Sequence, residues 1–190
     1  MEAPALHVEE TGEGIPVVLL HGLTATHRYV VMGSRTLERG GHRVIAYDAR
    51  GHGASAPASD AGAYTYADLA ADLLRVLGEH GIDRAVLAGA SMGAHTALRV
   101  ALEHPGRVGG LVVITPAYDP ETYLDDASLA RWDALSDGLR AGGVEGFVAA
   151  YGEPSAEPAW RETLLTVVRQ GISAHGDPGP VAGARRAGPR

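Results

Sequence analysis

Ala85-Val86-Leu87-Ala88-Gly89-Ala90-Ser91-Met92-Gly93 is the stretch on which the reading of this chain turns. Its first four residues form an apolar run of strand character. Met92 to His104 reads as a helix, with Pro105-Gly106 just past its end. Between strand and helix lies G-x-S-x-G. A turn this sharp needs small residues around the serine, and it lifts the serine hydroxyl above the sheet. The helix N-terminus brings backbone N–H groups and partial positive charge to the same point, which suits developing negative charge. Ser91 is therefore a candidate nucleophile and the Met92 N–H a candidate oxyanion donor. The bland alternative is a tight turn whose serine caps the helix.

Working outward, Pro16 to Leu20 is a continuous apolar run, as expected of a strand buried on both faces. Arg43 to Tyr47 and Leu111 to Ile114 read the same way, and Leu6 to Val8 is a weaker strand candidate closed by the turn Thr11-Gly12-Glu13-Gly14. A helix is expected around Val30 to Arg39, stopped by Gly40-Gly41. A second covers Tyr66 to His80, with Leu69, Leu73, Leu74 and Leu77 on one stripe and Gly81 at its end. Apolar strands separated by helices imply an α/β fold with a mostly parallel, doubly wound sheet covered on both faces. After Pro120 the character changes to three helix-like segments, near 127–139, 143–151 and 159–173, which hold Trp132, Phe147, Tyr151 and Trp160. The Gly/Pro/Arg-rich end, 176–190, is expected to fray.

Composition narrows the function. A chain of 190 residues suggests one domain, and a net charge of −7 argues against nucleic acid or an anionic membrane as partner. Cysteine is absent, which excludes disulfides and thiolate metal sites. No stretch approaches the roughly 20 apolar residues of a spanning helix, and Met1 to Gly14 has no signal-peptide core. A cytoplasmic location is the expectation, with no metal or organic cofactor implied.

Two further motifs bear on Ser91. His21-Gly22-Leu23 follows the strand Pro16–Leu20, and a glycine at a strand's C-terminal edge lets the next N–H face a substrate oxygen. The Leu23 N–H then joins that of Met92 as a two-donor oxyanion hole. His21 reads as a structural residue under this loop, although an ordinary strand-to-loop glycine would leave the same trace. Asp48-Ala49-Arg50-Gly51-His52-Gly53-Ala54-Ser55 follows the strand Arg43–Tyr47. With Ala56 it imitates the dinucleotide fingerprint G-x-G-x-x-A, but that motif needs a helix to start there, and Pro57 with Ser59-Asp60-Ala61-Gly62 continues a loop instead.

Taken in order, the HG loop, the D-x-R-G-H-G-x-S loop and G-x-S-M-G resemble the α/β-hydrolase fold superfamily, in its esterase, lactonase, haloperoxidase and C–C hydrolase branch. The resemblance covers about residues 5 to 175. It implies a core over 1–119 and a helical lid over 120–175, with Ser91 as nucleophile and Leu23 and Met92 as oxyanion donors. It also implies that the D-x-R-G-H-G-x-S loop is architectural and supports the HG loop. Serine at the elbow, where epoxide hydrolases and haloalkane dehalogenases of this fold place a carboxylate, favours acyl transfer through a seryl ester. The lid aromatics suit either an apolar small-molecule substrate or simple packing of the lid.

The family pattern also calls for an acid and a histidine on later strands, which do not follow the lid segment before Arg190. Asp119 is a candidate acid, since some relatives place it there. The general base is unknown: His95 lies one turn below Ser91, His175 reads as a solvated helix-end residue beside Asp177, and His27, His42, His52, His80 and His104 read as surface or loop residues. Loss of the base from a serine triad costs on the order of 10⁶ in kcat, about 8 kcal/mol. A truncated form of the fold, catalytically impaired, is thus expected, with the strand Leu111–Ile114 left as an exposed edge prone to self-association. A non-catalytic small-molecule-binding relative, and a sheet completed by a second chain, are the competing readings.

Overall fold

The computed structural model describes residues 3–60, 62–116, 126–151 and 158–174. Five strands build one sheet: β1 (Val8–Thr11), β2 (Ile15–Leu20), β3 (His42–Tyr47), β4 (Ala85–Ala90) and β5 (Val108–Ile114). The spatial order is β1-β3-β2-β4-β5, with β1 antiparallel to β3 and every other neighbour parallel. The helices are α1 (Thr36–Arg39), α2 (Tyr66–Glu79), α3 (Met92–Glu103), α4 (Asp126–Tyr151) and α5 (Pro158–Ser173).

Alternation along the strands sorts the core into two layers. Val18, Leu20, Ile45, Tyr47 and Leu87 face α2 and α3, where Leu73, Val76, Leu77, Ala97 and Val100 meet them with almost no solvent contact. Val17, Leu19, Val44 and Ala88 face the other way and are covered by Val30, Val31 and Leu37. The α2 stripe works because the helix is aimed at its start. Thr65 Oγ1 accepts from the Asp68 N–H at 3.2 Å while the Asp68 carboxylate accepts from the Thr65 N–H at 2.9 Å, a reciprocal cap.

The helix expected over Val30–Arg39 does not form. A 3₁₀ turn at His27–Tyr29 and the four-residue α1 stand in its place, because the chain adopts positive φ at Met32 (50°) and Gly33 (74°). Val30 and Val31 reach the sheet from an irregular loop instead. The first strand lies later than expected, at Val8–Thr11 rather than Leu6–Val8. The last strand starts at Val108 and is not buried on both faces. Among the described residues β5 is one of the two sheet edges, opposite β1, with Leu111, Val112 and Ile114 exposed at 37%, 48% and 41%. A Val/Ile run has the same composition in a central strand and at an edge; only a neighbour decides its burial.

After residue 125 the described residues are helical. Gly143 (φ 57°, ψ −142°) breaks α4, and the halves fold back until Gly138 and Gly146 touch. A Cβ on either glycine would overlap the other's carbonyl. Leu135, Leu139, Phe147 and Val148 of α4 pack with Val168 and Ile172 of α5, and Leu23 packs against this cluster. Gly171 lies directly on the Thr24 carbonyl, so α5 sits on the loop that follows β2. Phe147 is buried and stacks on Tyr151 with ring centroids 5.9 Å apart, whereas Trp132 is exposed. Phe147 and Tyr151 therefore pack the helices; the side chain of Trp160 lies outside the described residues.

Candidate active site

β2 and β4 are parallel neighbours with Leu20 opposite Gly89, so the two loops that leave them emerge side by side. One carries His21-Gly22-Leu23 and the other Ala90-Ser91-Met92. The approach is close: a Cβ placed on Gly22 would sit 3.5 Å from both the Ala90 carbonyl and Ser91 Cβ.

Ser91 holds φ 49° and ψ −112°, and α3 begins at the next residue. For a residue with a side chain this conformation stores about 1–3 kcal/mol of strain, kept only where the surroundings over-determine it. Here they do. A Cβ on Gly89 would overlap the Gly93 carbonyl, and one on Gly93 would overlap the Leu20 carbonyl of β2, so the turn closes only with both glycines. The Ser91 N–H donates to the Ile114 carbonyl at 2.9 Å, tying the elbow to β5. The serine side chain makes no capping bond to α3, which removes the helix-cap alternative. The Met92 N–H belongs to the first turn of α3, where helix geometry offers no acceptor within the helix.

The groups around the elbow are fixed by hydrogen bonds. His21 is buried, and its Nε2 accepts from the Ala49 N–H at 2.9 Å. Nδ1 must then carry the proton, and it donates to the Gly22 carbonyl at 2.8 Å. His21 thus props the HG loop. His52 lies in a loop, one of the two expected placements, and is buried there as well. Its Nδ1 lies 2.9 Å from the Arg50 carbonyl and its Nε2 3.1 Å from the Leu23 carbonyl. Burial pushes its pKa down, outweighing the two carbonyls, which favour the charged ring. Positive φ at Gly51 (70°) and Gly53 (51°) turns this loop inward and carries the imidazole with it.

Asp48 and Arg50 anchor the same loop. Asp48 accepts from the backbone N–H and ring Nδ1 of His27, both at 2.8 Å, and from the Ala54 N–H at 3.0 Å. Burial alone would raise its pKa, but these bonds outweigh it and hold the carboxyl below the ordinary range. His27, expected as a surface or loop residue, is buried with it at the start of a 3₁₀ turn. Arg50 donates to Asp72 at 2.6 Å and to the Ala63 carbonyl at 2.7 Å, pinning the loop to α2. One signal for this pair was available: Asp72 is a charge set on the apolar stripe between Leu69 and Leu73. For Asp48–His27 there was none, because nothing in the sequence pairs residues 21 positions apart in two loops.

His95 packs its ring on Tyr66, centroids 5.4 Å apart, one turn along α3. Asp119 and His175 lie outside the described residues. A small cavity of about 10 Å³ lies beneath the elbow, lined among others by Leu20, Tyr47, Met92 and Thr96, with room for one water at most.

A sequence profile described as the alpha/beta hydrolase fold matches residues 15–170. The chain belongs to that family. Among curated relatives of this α/β hydrolase, a Variovorax paradoxus protein provisionally named as the carbamate hydrolase RutD is 38% identical over 134 residues, 68% of this chain and 50% of that protein. The sn-1-specific diacylglycerol lipase ABHD11 of Danio rerio is 38% identical over 104 residues, 54% of this chain and 32% of the lipase. The chain thus spans half or less of the length of these relatives. Of solved structures, a hydrolase from Pseudomonas aeruginosa PA01 superposes with a TM-score of 0.74 at 27% identity, covering 97% of this chain and 69% of that one. The family fold is present from β2 to α5, and no described helix is long and apolar enough to cross a membrane.

Proposed function

We propose that this α/β hydrolase uses Ser91 as the nucleophile in hydrolysis of an ester-like or other acyl substrate through a seryl ester intermediate. The observation that carries the reading is the Ser91 backbone at φ 49°, ψ −112°, enforced by Gly89 and Gly93, with a hydroxyl that caps nothing. In the proposed step, Ser91 Oγ attacks the acyl carbonyl and its proton passes to a base. The N–H groups of Leu23 and Met92 hold the oxyanion, and the leaving group departs with a proton. Water then attacks the seryl ester and regenerates Ser91. His21 and Gly22 hold the oxyanion loop in place. The helices after residue 125 act as a lid on the core of residues 1–119, with α5 resting on Thr24. The exposed Trp132 offers apolar surface to a small substrate.

The base stays unassigned and Asp119 stays a candidate acid. Among the described residues His21 and His52 direct ring nitrogens at backbone groups, His27 directs one at Asp48, and His95 lies on Tyr66. With an oxyanion hole and binding alone, rates about 10³–10⁴ over water are expected. Those engaged histidines also favour the second reading, a small-molecule-binding relative that keeps the elbow without turnover.

The test is hydrolysis of 4-nitrophenyl acetate and butyrate by the 190-residue chain and by any longer product of its reading frame, each beside Ser91→Ala. Weak turnover by the chain, lost in Ser91→Ala, is expected. Turnover that survives Ser91→Ala, or none in either protein, would overturn the nucleophile assignment.

A further inference from the structure

Beyond β2 and β3 from the elbow, the chain around β1 and the loop after β2 bring three ligand-type side chains together. His7, the residue before β1, and Glu9 within it are two apart along the chain, and His27 arrives from the 3₁₀ turn. Glu9 Oε1 lies 3.2 Å from His27 Nε2 and 3.7 Å from His7 Nε2, and the three ligand atoms all fall within 4.8 Å of one another. The exposed Arg28 reaches the same oxygen at 3.8 Å. The imidazoles of His7 and His27 are tilted by 54° with centroids 5.0 Å apart, so they converge rather than stack.

The burial and partners of His27 make this cluster unusual. His27 is 7% exposed, and its Nδ1 is 2.8 Å from the Asp48 carboxylate, an acceptor-only group. Nδ1 is thus taken by Asp48, and Nε2 is the ring nitrogen left facing Glu9. That nitrogen is buried and makes no hydrogen bond, because the 3.2 Å approach of Glu9 lacks hydrogen-bond alignment. A buried ring nitrogen without a hydrogen-bond partner, set beside a carboxylate oxygen, is an incomplete polar arrangement that a bound cation would complete. A carboxylate that orients a histidine through Nδ1 while Nε2 points at a metal is the usual support of histidine ligands.

We propose that His7 Nε2, Glu9 Oε1 and His27 Nε2 form a binding site for a divalent transition cation, zinc foremost, with Asp48 orienting His27. Two imidazoles and one carboxylate are a ligand set that zinc takes, with a fourth position for water. Tetrahedral zinc spaces its ligand atoms about 3.3 Å apart, which the 3.2 and 3.7 Å separations bracket. His7, the more exposed imidazole at 37% of its side chain, closes the widest gap by rotating. The cation would clasp β1 to the loop that carries Thr24 and Thr26, stabilising the HG loop without touching the reacting carbonyl. The sequence held half of this signal, a His-x-Glu pair; His27 joins it only through the fold.

The test is zinc titration of chelator-stripped protein by calorimetry, with thermal unfolding and X-ray absorption of the loaded form. One zinc per chain is expected, with nitrogen and oxygen ligands at about 2.0–2.2 Å and a higher Tm. His7→Ala and Glu9→Gln lie at the exposed rim and should each weaken binding at least about tenfold, while leaving the metal-free Tm near that of the native chain. His27→Ala should remove the site, and His80→Ala, which breaks the separate His80–Glu10 contact at 2.6 Å, should leave it intact. No zinc uptake by the native chain would overturn the proposal. Uptake unchanged by His7→Ala and Glu9→Gln would do the same.

Discussion

Gly93 is as necessary to the elbow as Ser91, because its missing Cβ is what lets α3 start against the Leu20 carbonyl. Gly93→Ala is expected to destabilise by about 1–3 kcal/mol, the usual result of forcing a methyl group against backbone, as read from urea midpoints. Ser91→Ala keeps the backbone and should unfold within about 0.5 kcal/mol of the native chain. Among the buried histidines, His52 makes a pH prediction. Its folded pKa is depressed by burial, while the unfolded ring titrates near about 6.5. Below that pH the unfolded chain takes up a proton that the folded His52 resists, so stability should fall as pH drops from 7.5 to 5.5. His52→Asn should lessen that slope, and an unchanged slope in the variant would assign it elsewhere.

At the scale of elements, the loop between β3 and α2 is pinned to α2 by the buried pair Arg50–Asp72 and meets the HG loop through His52 and the Ala49 N–H. Asp72→Ala leaves a guanidinium at 7% side-chain exposure without its carboxylate, and the expected cost is about 3–5 kcal/mol, measured by thermal or denaturant unfolding. The strands and α2, α3 were legible because each joins an apolar run or a 3.6-residue stripe to a stop signal such as Gly81. The helix at Val30–Arg39 was misread because Val30, Val31 and Leu37 are apolar at helix-like spacing yet reach the sheet from a loop bent at Met32 and Gly33. The D-x-R-G-H-G-x-S loop bonds to α2 through Arg50 and to the HG loop through His52, contacts that suit an architectural role. Which side chain supports which group, such as His52 beneath the Leu23 carbonyl, is set by loop conformation and was not legible.

For the whole molecule, the sheet leaves Leu111, Val112 and Ile114 of β5 facing solvent among the described residues. An apolar, unpaired edge strand is a template for another chain. The 190-residue polypeptide is therefore expected to self-associate, with sedimentation that shifts with concentration and a smaller shift in Val112→Lys. A sharp monomer at all concentrations would contradict this. Fold class was readable from three short motifs because turn chemistry at Gly22, Gly53 and Gly89–Gly93 is local. The acid and base were not readable, since pairing across the fold leaves no spacing rule between residues. The reactivity of one oxygen atom, Ser91 Oγ, is read by mass-spectrometric mapping of the chain after long exposure to a serine-reactive fluorophosphonate. A phosphonyl adduct is expected on the peptide that contains Ser91, slow to form and absent from Ser91→Ala. An adduct only on other residues, or the same labelling in Ser91→Ala, would contradict the assignment of Ser91 as nucleophile.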